Sequence, residues 1–312
     1  ANTPVSGNES ITMRNTFAGL AGGWGTFLMG RHDTPLKIST GPLDLFADTM
    51  ADYNNTVGFQ DIRADNAIAY ISPSFSGFTF AGAVHAGGGS AYGLDLNNGS
   101  TYGAYNRDSD SIAEAYSLAG IYKNGPWYAS LAYEGLNRDL LCAQVVDPWS
   151  DVKTSGCGDV LGAETWGKWR VGLGMLDWNG FTLAAIYEHW DNGLWIDESS
   201  ADLWNIQAAY AFGNFTVKGA WGQNKQNDNV MIAGAGKIDN VNYVALTPEG
   251  YTFDTWTLGV DYNMSKRTKA FLLYTQNTSD DLVWGATSGD YLYTGTEDMQ
   301  WNGFQIGMMH SF

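Results

Sequence analysis

Apolar and polar positions alternate in short runs along most of this chain. Segment 164–176 puts Trp169, Val171, Leu173 and Met175 on one side and Lys168, Arg170, Gly172 and Gly174 on the other. In 201–211, Trp204, Ile206, Ala208 and Tyr210 oppose Asn205 and Gln207; in 251–262, Trp256, Leu258, Val260 and Tyr262 oppose Thr255, Thr257 and Asp261. A period of two marks a strand with two unlike faces. Such segments predict about thirteen strands, at 12–21, 25–32, 66–73, 78–86, 111–122, 127–135, 164–176, 181–190, 201–211, 215–224, 251–262, 267–276 and 298–312.

The gaps between these strands alternate in length. Gly22–Trp24, Ser74–Gly77, Lys123–Pro126, Asp177–Gly180, Phe212–Asn214 and Asn263–Lys266 have the length and composition of hairpin turns. Segments 33–65, 87–110, 136–163, 191–200, 225–250 and 277–297 are long, polar loops, all at the opposite edge. A compact soluble domain rarely needs six long loops on one side, whereas an outer-membrane barrel has short turns at one rim and long loops at the other. The predicted fold class is therefore all-β, a single transmembrane antiparallel barrel domain over 1–312 with its apolar face outward. Trp127, Trp166, Phe181, Trp190 and Tyr262, near strand ends, are the expected interfacial girdles.

The final strand sharpens the lipid argument. Phe304, Ile306, Met308 and the terminal Phe312 share one face, and chain ends fray unless something holds them. That strand and the first both run toward the short turns, so they cannot close antiparallel on each other. An even strand count then requires an odd number of preceding strands, about three, for about sixteen in all.

Composition agrees with this class. Mean hydropathy is −0.22, and no apolar run reaches the roughly 18 residues of a membrane helix. With Trp 13, Tyr 17, Phe 14 and only Pro 7, the chain is built to fold. A formal charge of −17 argues against a nucleic-acid partner. Cys142 and Cys157, separated by 14 residues in one predicted loop, read as one disulfide of an oxidising compartment. Two cysteines without neighbouring histidines supply too few ligands for zinc, so no metal or cofactor site is expected.

Several segments together resemble the neisserial-type general porins of Gram-negative bacteria. These are Arg14–Thr26, Gly30–Lys37, Asn66–Pro73 and the closing His310-Ser311-Phe312. In that family Arg14–Thr26 looks like the fourth of sixteen strands, again implying three absent ones. The resemblance also implies a bacterial outer-membrane location, passive diffusion of ions and small hydrophilic solutes, a homotrimer in outer-membrane lipid and lipopolysaccharide, and Phe312 as a membrane-insertion signal. Its third loop folds into the lumen as a constriction; here that loop is 33–65.

Within 33–65, Asp44, Asp48 and Asp52 recur every fourth residue, with Leu43, Phe46, Ala47 and Met50 between them. The spacing predicts a short helix with an acidic front and an apolar back. Arg14, Arg31, Lys37, Arg63, Lys168 and Arg170 are the bases expected across the lumen, setting up a transverse field at the constriction. Loop acids Asp95, Asp108, Asp110, Asp147, Asp151, Asp159, Asp197, Glu198, Asp228, Asp280 and Asp281 offer possible sites for divalent cations, against the plainer reading of solvated charge.

Two other classes compete. A barrel hydrolase needs a nucleophile or activated water beside a histidine, but His32, His85, His189 and His310 fall on different strands, and Glu188 and His189 face opposite sides. A binding barrel, adhesin or scaffold would share the aromatic content and lack conductance.

Overall fold

The computed structural model describes residues 14–86, 112–137, 144–146, 153–155, 164–193, 197–228, 231–238, 241–247, 251–288 and 291–311. Cys142, Cys157, Phe312 and the loop acids at 95, 108, 110, 147, 151 and 159 lie outside the described residues.

The predicted alternation resolves into antiparallel strands joined through short turns: β1 (Thr16–Gly22) to β2 (Gly25–Asp33), β3 (Arg63–Ile71) to β4 (Phe78–His85), and β5 (Ala115–Asn124) to β6 (Trp127–Leu136). A two-stranded ladder, β7 (Gln144–Val146) with β8 (Lys153–Ser155), stands apart. The wall continues with β9 (Trp166–Trp178), β10 (Phe181–Asp191), β11 (Ser200–Phe212) and β12 (Phe215–Asp228). After β13 (Met231–Ile238) and β14 (Val241–Thr247) come β15 (Thr252–Asn263), β16 (Thr268–Ser288) and β17 (Tyr291–His310). One sheet of fifteen strands results; setting aside β13 and β14, which branch onto the upper half of β16, leaves thirteen wall strands. The sheet's edges are β1 and β17, and both run toward the short-turn rim, so a direct ladder between them would be parallel.

Burial follows the period of two. Trp204, Ile206, Tyr210, Trp256, Leu258, Val260, Phe304 and Ile306 are exposed, the last at 83 %, while Asn205, Gln207, Thr255, Thr257 and Asp261 between them are buried. A soluble β-protein does the reverse. Hydrocarbon is the surrounding that makes an apolar exterior favourable, and between the edge strands antiparallel ladders pair each wall strand with a neighbour on both sides. Exposed Trp24, Phe75, Trp127, Trp178, Phe181, Phe212, Phe215 and Tyr262 ring the short-turn rim.

Two expected girdle residues are not there. Trp166 and Trp190 share parity with Lys168 and Glu188, face inward, and pack edge-to-face at 5.4 Å with only 1 % and 3 % of their surface exposed. The expected loops 225–250 and 277–297 are also largely strand: β16 and β17 continue their ladder to Ser288–Tyr291, with β14 paired alongside. Their Thr, Val, Tyr and Trp content favours extended backbone even where the chain is polar.

Leu258, outward and mid-strand, tests the lipid face. Leu258→Arg is expected to cost about 2–4 kcal/mol, measured by denaturant unfolding from bilayers; an effect near zero would place that face in water.

Candidate functional site

Residues 34–62, between β2 and β3, turn inward and lie against the inner wall. Thr34 caps α1 (Pro35–Thr40), its Oγ1 accepting from Lys37 N, and Pro35 supplies a first helical residue that needs no amide donor. Ser117 of β5 accepts from Leu36 N at 2.9 Å, and Tyr128 of β6 donates to Ser39 O at 2.8 Å. Further along, Gln207 of β11 accepts from Leu45 N at 2.7 Å and Gln305 of β17 from Met50 N at 2.8 Å. Lys218 of β12 donates to Leu45 O at 2.7 Å, and Asn224 of β12 to Val57 O at 3.1 Å. The loop thus spans the inner face from β5 round to β17.

Its apolar side chains fit where the wall has no side chain. A Cβ built on Gly174 would meet Leu43, on Gly259 Phe46, on Gly303 Met50, and on Gly222 Val57. Leu43, Phe46 and Val57 are buried in these hollows. Small wall residues therefore let a second layer of chain sit inside the barrel without straining the strands.

Two inward bases lock the returning arm. The Arg170 guanidinium contacts Asp61 Oδ1 at 2.6 Å, Glu188 Oε2 at 2.5 Å and Thr40 Oγ1 at 2.9 Å, and stacks over Phe59 at 5.0 Å. Lys168 Nζ pairs with Glu134 at 2.7 Å and donates to Gln60 O at 2.9 Å. Burial alone would raise the Asp61 carboxyl, but Arg170 prevails and holds it below the usual carboxylate range. Both bases are fully buried, so the expectation that they present charge to a passing solute is corrected: they bind the loop from behind.

The loop tip also departs from expectation. Segment 44–52 is a chain of turns, with helix only at α1, at a 3₁₀ turn over Gly41–Leu43, and at α2 (Tyr53–Thr56). Asp44 accepts from Phe46 N at 2.9 Å, Asp52 caps α2 by accepting from Asn54 N at 2.9 Å, and Asp48 has φ +60°. Aspartates that bond to nearby amides compete with helix. Asp44 is turned toward the wall, where Gln207 Nε2 donates to it at 3.3 Å. Burial, reinforced by the charge of Asp52, pushes its carboxyl up to about 7. Asp48 alone of the three is broadly exposed, facing Arg14 at 3.4 Å.

Between tip and wall lies a cavity of about 450 Å³ lined by Arg14, Lys37, Asp48, Asp52, Asn54, Gln60, Asp61 and Arg63, among others. Lys37 and Arg63 share one carboxylate, Asp33, at 3.0 and 2.9 Å. Arg31 is not among the lining residues; it pairs with Asp65 at 2.7 Å.

An outward apolar wall, an inward loop and a charged cavity are the parts of a membrane channel, and comparison with known proteins agrees. The family described as Gram-negative porin matches residues 2–282. The chain is a Gram-negative porin. It is 23 % identical to an outer membrane porin protein of Bordetella pertussis, an alignment covering 93 % of this chain and 69 % of that protein. The structure superposes on the anion-selective porin of Comamonas acidovorans with TM-score 0.56 and 19 % identity, over 95 % of this chain and 77 % of that one. The trimer form of OmpT from Vibrio cholerae gives TM-score 0.55 at 15 % identity, over 95 % and 80 %. This porin therefore resides in the outer membrane and forms a water-filled channel for small solutes.

Several residues of the porin's inner layer escaped the sequence reading. Glu188, passed over as a poor partner for His189, is the wall carboxylate of the Arg170 clamp. Glu134 shares the parity of the inward face of β6, which was the available signal, and Gln207 is on the polar face expected of its strand but has no role in that reading. Asp61 and Asp33 had none, because only the loop's path brings them to Arg170 and Lys37.

Removing one member of the buried clamp leaves charges uncompensated. Arg170→Met is expected to destabilise by about 3–5 kcal/mol, read by denaturant unfolding, with most of the loss recovered when Asp61→Asn and Glu188→Gln are added; no recovery would mean the cost lies in packing.

Asp44 has a raised carboxyl, so the unfolded chain ionises first as pH rises. Stability contributed here is present below about 4 and is lost by about 7, up to about 4 kcal/mol between these limits. Asp44→Asn is expected to raise the thermal midpoint in detergent at pH 8 and leave it unchanged at pH 4; equal effects at both would exclude this titration.

Proposed function

We propose that loop 34–62 sets the porin's constriction and that solutes pass through the charged cavity it leaves. The supporting observation is that the loop covers the inner wall from β5 to β17 while Arg14, Lys37 and Arg63 line one cavity together with Asp48 and Asp52. Arg14 and Arg63 on the wall side and Asp48 and Asp52 on the loop tip give a field across the path rather than along it, which orients dipolar solutes and sorts ions. In this reading Asp48 is the tip charge most open to solutes, and Asp52 acts while also capping α2. Asp44, Arg31, Lys168 and Arg170 position the loop and wall.

The assembled channel is proposed to be a homotrimer, a reading supported by the trimeric form of the Vibrio cholerae relative. Its function is passive diffusion of ions and small hydrophilic solutes, with no cofactor.

Planar-bilayer recording across a salt gradient tests the constriction. A unit charge about 4 Å from a passing ion is worth about 1 kcal/mol in water, a factor of roughly five. Asp48→Asn with Asp52→Asn is expected to lower cation preference by up to that factor, and Lys37→Gln with Arg63→Gln to raise it. Unchanged reversal potentials in both would place the narrowest point elsewhere.

A further inference from the structure

Charge is divided along the barrel axis. At the short-turn end the described residues carry five bases, Lys123, Lys218, Lys266, Arg267 and Lys269, against two acids, Asp177 and Asp261. The whole chain has a formal charge of −17. Everything outside that end is therefore more negative than the total, and it belongs to the far halves of the strands and to the segments that join them there.

Parity sends the basic charge toward the lumen. Lys123 is registered opposite Tyr128, whose hydroxyl donates to Ser39 O of the inner loop. Lys269 is registered opposite Met309, which packs against the interior cluster of Phe46, Phe271 and Leu273. Lys218 is tied to Asp261 at 3.1 Å and to Leu45 O at 2.7 Å, and Lys269 shares Asp261 at 3.0 Å. Two bases thus hold one carboxylate, which leaves a positive charge over, and the Lys269 side chain is 33 % exposed. Lys123, Lys266 and Arg267 are exposed and have no ion pair among the described residues.

A mouth of one sign concentrates the opposite ion within about a Debye length, about 10 Å at 0.1 M salt. Cations gather at the loop end and anions at the short-turn end. A voltage positive on the loop side drives both toward the middle and fills the lumen with carriers. The reverse voltage draws both out.

We propose that this channel rectifies, passing more current when the loop side is positive, and that Lys123 and Lys269 make its short-turn mouth an anion-gathering one. Each mouth then imposes its own preference on the ions entering from its side. The proposal rests on the water-filled lumen of the family and not on where the constriction lies.

The test is planar-bilayer recording of the full chain carrying a hexahistidine tag in the Phe212–Asn214 turn, each channel's orientation being read afterwards from the side on which an anti-tag antibody perturbs the current. At about 0.1 M KCl the current with the loop side positive is expected to exceed the reverse by up to about fivefold, the weight of one nearby unit charge. At about 1 M, where the Debye length is about 3 Å, the ratio should fall close to one. In a salt gradient, dilute salt on the short-turn side should move the reversal potential toward anions relative to the opposite gradient. Lys123→Gln with Lys269→Gln should remove most of both effects, Asp261 keeping Lys218 as its partner. Asp48→Asn with Asp52→Asn should instead shift the reversal potential alike in both gradients, which separates the mouths from the constriction. Equal currents in both polarities at low salt, an asymmetry that persists at high salt, or one untouched by the lysine variant would overturn the proposal. If that variant does not fold, Lys266→Gln with Arg267→Gln in the exposed turn decides: a smaller asymmetry supports the basic mouth and an unchanged one overturns it.

Discussion

Hydrocarbon offers no partner to a peptide group, and that constraint governs everything else in this porin. Each wall strand must satisfy its amides on its neighbours, which leaves alternate side chains to lipid and to the lumen. Once most apolar residues are committed outward, the inner face is largely small and polar, with a minority of large apolar groups such as Leu136, Trp166, Ile186, Trp190 and Leu203. The loop at 34–62 completes its core, packing Leu43, Tyr53, Val57 and Phe59 with wall residues Tyr128, Leu136, Trp166, Ile186, Trp190 and Leu203, and Phe46 with Phe271 and Leu273.

The inner layer is held by two kinds of contact with different physical character. Apolar side chains seated on wall glycines give area removed from water, which is insensitive to salt. The Arg170 and Lys168 clusters give direction: a guanidinium joined to Asp61, Glu188 and Thr40 fixes one orientation of the returning arm. Buried ion networks of this kind are a weak source of net stability, since desolvation offsets much of the attraction. Their use here is positional, keeping the loop tip and its exposed Asp48 in one place relative to Arg14.

The wall was legible in the sequence because its signal is a period of two repeated across many segments, and short turns alternating with long gaps gave the orientation. The cavity was partly legible: Arg14, Lys37, Arg63, Asp48 and Asp52 do line one space. What the pattern hid has identifiable causes. Fourfold spacing of Asp44, Asp48 and Asp52 matched a helix, but local bonds from Asp44 and Asp52 to backbone amides won over the helical ladder. Lys168 and Arg170 had the correct inward parity, yet parity says only which face a side chain is on, not what second layer covers it. Trp166 and Trp190 were misassigned for the converse reason: aromatic identity was weighed above the parity that placed them inside. The upper parts of β16 and β17 read as loop because their sequence no longer alternates apolar with polar positions.

The wall glycines give the position of the inner layer an unusual kind of heredity. Gly174, Gly222, Gly259 and Gly303 are hollows that fit Leu43, Val57, Phe46 and Met50, so the seat of the inner layer is written twice, once in strands and once in loop, and if the loop is the constriction, as proposed, that seat sets the opening. A larger residue at a hollow would push the inner layer toward the centre and narrow the passage, while a smaller tip residue would leave a void that lets the layer drift. Neither copy can be edited alone. A loop transplanted from another barrel would arrive as a key cut for a different lock, and widening or narrowing this pore calls for matched changes in chain segments more than a hundred residues apart.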